Sequence, residues 1–150
     1  MKDQSAALKA VASDARAGTR GAVLLAGAAG ATAANAADAL AAELDTTVTR
    51  VDLAATVSKY IGETEKHLDT VFAEAERAGA VLLLDEADAL FGDRTGVKDS
   101  HDRYANLDVG SLLARVEAYN GLLLLATNRR TNIDPAFTRR LRRVIDYTPR

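Results

Sequence analysis

Five short apolar runs, with stretches of helical periodicity between most of them, constrain the fold more than any other feature of this sequence. They extend from Ala22 to Gly27, Thr47 to Leu53, Val81 to Glu86, Leu122 to Asn128 and Arg143 to Tyr147. Strand alternating with helix predicts an α/β fold, a mainly parallel sheet of five strands joined by crossover helices. The runs beginning at Val81 and Leu122 are almost continuous in apolar residues, which suits central strands buried on both faces. The run TVTRVDL alternates and carries an arginine, which places it nearer an edge.

The intervening segments supply the helices. From Glu63 to Ala78, Leu68, Val71, Phe72 and Ala75 fall on one helical face, and from His101 to Ala118 so do Ala105, Val109, Leu112, Leu113 and Val116. Residues 2–17 form a third helical stretch ended by Gly18, and Ala31 to Leu44 a fourth, favoured by alanine. Gly92 to Ser100, with two glycines and mixed charges, offers little to bury. With 150 residues and no linker or repeat, the expectation is a single domain over 1–150, with residues 1–20 as an N-terminal helix and lead-in.

Charge and cysteine content narrow the function classes. The chain has no cysteine, no apolar run near the roughly 20 residues that span a bilayer, and no apolar signal core after Met1, so a cytoplasmic protein without membrane attachment is expected. A net charge of −2 argues against a globally basic nucleic-acid binder. Seven arginines lie between Arg129 and Arg150 against Asp134 and Asp146, which suits a solvated face or a patch for phosphates. Only Phe137 and Tyr147 could stack bases there, so nucleic acid is not expected as a partner. His67 and His101 lack a nearby cysteine or a second histidine one turn away; surface positions are expected, not a zinc site.

Asp85 and Glu86 stand at the C-terminal end of one buried run and Asn128 at the end of another, with Arg139, Arg140, Arg142 and Arg143 following. Polar residues commonly close a strand. In an open α/β sheet, however, the ligand crevice lies outside those strand ends. A carboxylate for a metal, a second for water, an amide for phosphate and arginines for developing negative charge are the parts that phosphoryl transfer needs.

The wording of these segments resembles the AAA+ ATPases over most of the chain, from Gly21 to Asp146. VLLLDEADALF is similar to the Walker B strand, LLLLATNR to the sensor 1 strand, NIDPAFTRRLRR to the arginine-finger segment, SKYIGETEK to the first pore loop, and DRYANLDVGSLLARVEAYNG to the second region of homology. The resemblance implies a three-layer fold with strand order 5-1-4-3-2, and ATP and Mg2+ as ligands. It casts Asp85 as the metal residue and Glu86, Asn128, Arg139 and Arg142 as catalytic, the arginines reaching into a neighbouring subunit. Lys59, Tyr60 and Gly62 would then grip a protein substrate in the pore of a ring, a hexamer of this chain or of it with a paralogue, and Arg103 would touch the next subunit. For Tyr60 the plainer alternative is an aromatic packed against the sheet. The wording of SKYIGETEK and HDRYAN looks closest to short bacterial members. No helical lid follows the last strand, so the lid is expected to be absent.

One motif departs from the family. Aligning Gly27 and Gly30 with the first two glycines of the phosphate loop, Gly27-Ala28-Ala29-Gly30-Ala31-Thr32-Ala33-Ala34, puts threonine at the last glycine, alanine at the lysine and alanine at the metal-binding hydroxyl. Ten of the 31 alanines lie between Ala28 and Ala42. Thr32 adds a Cβ against the phosphate and disfavours a positive φ. Each lost charge-assisted contact weakens binding by about 1.5 to 3 kcal/mol, so two together lower affinity by roughly two to four orders of magnitude. The sequence thus predicts weak nucleotide binding and impaired hydrolysis. The alternatives are a non-catalytic assembly module and an alanine-rich engineered variant without function.

Overall fold

Leucines that cannot be left in water organise the sheet: Leu24, Leu83, Leu84, Leu124 and Leu125 are wholly buried on its three inner strands. The protein is seen in a computed structural model that describes residues 4–18, 21–28, 30–87, 109–128, 139 and 141–147. Its strands are β1 (Gly21–Ala26), β2 (Val48–Asp52), β3 (Val81–Asp85), β4 (Leu122–Thr127) and β5 (Arg143–Asp146). They lie in the order β2-β3-β4-β1-β5, all parallel, which is the expected 5-1-4-3-2 arrangement read from the other edge. The runs at Val81 and Leu122 are interior strands and the arginine-bearing run is an edge, as their patterns require.

Helices cover both faces. On one side α1 (Ser5–Arg16) and α2 (Ala31–Glu43) pack on Val23, Leu25, Leu83 and Leu124. The buried side of α2 is Ala33, Ala36, Ala37, Leu40 and Ala41, small residues that let the helix lie close to the strands. On the other side α3 (Leu53–Lys59), α4 (Thr64–Ala78) and α5 (Val109–Ala118) pack on Leu24, Leu82, Leu84 and Leu125 through Leu53, Leu68, Phe72, Leu112 and Val116. Ala105, His101 and the segment Gly92 to Ser100 lie outside the described residues. The short α3 replaces the expected end of the second strand. The Asp52 carboxylate accepts from the Ala55 N–H at 3.0 Å and caps a helix too brief to announce itself by periodicity.

Tyr119, just past α5, pins the face carrying α3 to α5. Its hydroxyl donates to the Ala80 carbonyl at 3.0 Å, and its ring meets Phe72 edge-on with centroids 5.9 Å apart. Burial, helped by the negative charge of Glu76, pushes the phenol up to about 12. An unfolded tyrosine ionises near 10, so this contribution to stability is complete below about pH 10 and is lost as pH rises toward 12. Tyr119→Phe is expected to flatten that alkaline decline. Urea midpoints measured from pH 9 to 12 check it, and parallel declines in the two proteins would overturn the assignment.

Candidate active site

The C-terminal ends of β1, β4 and β3 lie side by side, and the segment after β1 crosses from the first to the last. Gly27 and Ala28 both donate their N–H to the Thr127 carbonyl, at 2.9 and 3.0 Å, so the segment is fastened to the end of β4. It then reaches β3, where the Gly30 N–H donates to Asp85 Oδ2 at 3.1 Å. Gly30 has φ 60° and ψ −129°, a backbone state that only glycine tolerates well, although a Cβ there would meet no atom. Backbone conformation, not crowding, accounts for this glycine. Gly27 also has a positive φ, 82°.

Asp85 is the hub of the site. Its side chain is 1% exposed, and Oδ1 accepts the Glu86 N–H at 2.9 Å. Oδ2 accepts Arg50 Nη2 at 2.6 Å from the edge strand β2 as well as the Gly30 amide. A buried carboxylate needs such compensation, and here a guanidinium, two amides and the positive end of α2 provide it. Glu86 follows with φ 56°, a left-handed position costly for a residue with a Cβ; strained residues of this kind cluster at functional sites. Asn128, exposed at the end of β4, completes the edge.

Along the loop, Thr32 is exposed in the first turn of α2, Ala33 is fully buried and Ala34 is half-buried. The expected strain at position 32 is corrected: Thr32 lies within the helix, and the positive φ angles of the loop fall on Gly27 and Gly30. Ala31 is exposed, and Ala29 lies outside the described residues.

Not every expected residue joins this edge. Arg142 stands before β5, at the opposite, N-terminal end of the sheet, where its N–H donates to the Ala22 carbonyl and Nη2 to Asp14 Oδ2 at 2.6 Å. Hydrogen bonding from Arg142 above all, with help from its charge and from Arg143, holds the Asp14 carboxyl below the usual carboxylate range. Arg139 is exposed. Arg103 lies outside the described residues, as does Arg140. In the turn joining α3 to α4, Tyr60 is half-buried and stacks on His67, with centroids 3.9 Å apart and planes at 13°. Lys59 Nζ is 5.5 Å from the centre of the Tyr60 ring, and Gly62 carries a φ of 81°. The neighbouring Ile61 is 78% exposed, the most exposed large apolar side chain among the described residues. Sequence reasoning missed Arg50, Ile61 and the His67 stack; an arginine inside an apolar strand was the signal available for the first.

Residues 23–149 match the family described as "ATPase family associated with various cellular activities (AAA)". The chain belongs to the AAA ATPase family. It is 35% identical over 117 residues to the proteasome-activating nucleotidase of Aeropyrum pernix, covering 73% of this chain and 29% of that protein. Against the cell division cycle protein 48 homolog of Archaeoglobus fulgidus it is 38% identical over 98 residues, 62% of this chain and 13% of the relative. The 26S proteasome regulatory subunit 10B of Dictyostelium discoideum is 34% identical over 106 residues, 67% and 27% respectively. The chain therefore spans less than a third of the length of these curated relatives. They are archaeal and eukaryotic ATPases of proteasome and cell-division-cycle type, which corrects the expected likeness to short bacterial members.

AAA ATPases bind ATP with Mg2+. The donor set of this AAA domain does not compose a magnesium site as arranged. Both Asp85 oxygens already accept hydrogen bonds from the chain's own groups, and Ala34, on the first turn of α2, has no oxygen in its side chain to offer. Among the described residues no group of three or more histidine, aspartate or glutamate side chains could hold a metal ion, and no helix is long and apolar enough to cross a membrane.

Proposed function

We propose that the chain is an AAA nucleotide-binding core that holds ATP weakly and hydrolyses it slowly, working in the cytoplasm on protein substrates as part of a ring. The observation that carries this reading is the convergence of Gly30, Asp85, Glu86 and Asn128 at one strand-end edge beside a loop with alanine at positions 33 and 34. The chemistry follows from that edge. The Gly30 amide, at the positive end of α2, exchanges Asp85 for a phosphate oxygen when nucleotide binds. Glu86 orients the attacking water and accepts its proton, and Asn128 touches the terminal phosphate. As the water oxygen bonds to the γ-phosphorus, the bond to the β–γ bridging oxygen breaks and ADP leaves. Arg139 and Arg142 of a neighbouring subunit would meet the negative charge that develops, for which Arg142 exchanges its Asp14 partner. In this reading Arg103 would touch the next subunit, and Lys59, Tyr60 and Gly62, with Ile61 beside them, contact the substrate.

A second reading, a non-catalytic assembly module, is favoured by one observation: Asp85 is already satisfied within the chain. Titration with ATP separates the two. The first reading expects amide resonances of Gly27, Gly30 and Asn128 to shift saturably at millimolar nucleotide, with slow phosphate release that Glu86→Gln abolishes. No shift at these residues would overturn nucleotide binding. Shifts with no phosphate release in an assembled sample would leave the assembly module.

A further inference from the structure

The loop lacks its lysine, yet a cation stands beside it. Arg50 extends from edge strand β2, two residues before the strand's end, on the face that carries α2; its register partner is Leu83, two residues before Asp85. The Gly30 amide and the Arg50 guanidinium converge on a single oxygen, Asp85 Oδ2, at 3.1 and 2.6 Å. An amide at a helix start and a guanidinium aimed at one anionic oxygen are the donors a phosphate oxygen takes. Among the described residues the guanidinium makes one hydrogen bond, through Nη2, and its side chain is 46% exposed. A guanidinium has five N–H donors, so four remain for a second anion while Asp85 stays neutralised. The charge arithmetic agrees: a divalent metal is the ordinary means of balancing both a buried aspartate and a polyphosphate, and here Arg50 already balances the aspartate.

We propose that Arg50 is the phosphate-binding cation of this site, bridging Asp85 and the terminal phosphates of a polyphosphate that binds without a divalent metal. The inference rests on reading the strand-end edge as the phosphate site. Arg50 does from the edge strand what lysine does from the loop in other members of the family, and the nucleotide's phosphate end meets a fixed guanidinium in place of a metal.

Inorganic tripolyphosphate, titrated into the full chain by calorimetry in excess chelator and again in excess Mg2+, tests this. The expected result is binding in chelator at least as tight as in Mg2+, because the free anion carries more charge to the guanidinium. Arg50→Ala should lower affinity about ten- to a hundredfold, with Arg50→Lys within a few fold of the parent. Adding Ala33→Lys to Arg50→Ala should recover most of the loss. Should Arg50→Ala fail to fold, Arg50→Gln combined with Asp85→Asn removes both charges together and is expected to show the same loss. Unchanged affinity in a folded Arg50 variant, or binding that appears only with Mg2+, overturns the role of Arg50 and leaves the site standing. No tripolyphosphate binding by the parent under either condition overturns both.

Discussion

Thr32→Gly/Ala33→Lys/Ala34→Thr is expected to tighten ATP binding by roughly two to four orders of magnitude and to bring phosphate release well above that of the parent chain. The size follows from two restored charge-assisted contacts, a lysine ammonium on the terminal phosphates and a hydroxyl for the metal, at about 1.5 to 3 kcal/mol each. Structure qualifies the gain. Position 32 lies in the first turn of α2 and is exposed, so glycine there removes bulk from the loop mouth without relieving strain. Position 33 is fully buried against the sheet, so a lysine stem has to leave through packed surroundings toward the strand ends, and overpacking costs about 1 to 3 kcal/mol of stability. The triple variant should therefore bind more tightly while melting several degrees lower. Fluorescent ATP-analogue titration, phosphate release and thermal melting read the three effects. Parent turnover equal to that of the triple variant would remove the loop as the cause of weak activity.

Leu84→Ala is expected to cost about 3 to 5 kcal/mol of folding stability. Leu84 is wholly buried in the interior strand β3, paired in register with Val51 on one side and Leu125 on the other, within the core filled by Phe72, Leu68 and Leu112. Removing three carbons there leaves a cavity that two flanking strands and covering helices cannot close. Whole-domain stabilities are about 5 to 15 kcal/mol, so this one change consumes a large share and loosens the strand that carries Asp85. Chemical denaturation measures it. A loss below about 1 kcal/mol would mean that the cavity collapses freely and that β3 is less tightly held than its burial implies.

The sheet was legible because buried parallel strands leave unbroken apolar runs, and the edge strand because its alternation and its arginine broke that pattern. Helix α3 was not legible. Seven residues are too few for periodicity, and the Asp52 cap that starts it looks in sequence like one more strand-end carboxylate. The strand-end residues of the site were readable as wording, but their connections were not. Arg50 and Asp85 are 35 positions apart and meet only because β2 and β3 pair in register. Nor does anything local in SKYIGETEK show that Tyr60 stacks on His67 and leaves Ile61 outermost. Strain at Thr32 is absent because Gly30, not the helical residue at 32, adopts the positive φ of the loop.

The fastening of the loop to β4 has a consequence for how such a domain can change. Gly27 and Ala28 are held by main-chain bonds to Thr127, and Gly30 by its own amide to Asp85, so these three fastenings use no side chain of the loop itself. Shape and reactivity are separately encoded here. A substitution confined to position 34, which is half-buried, can alter the chemistry of the turn while these main-chain fastenings stay in place.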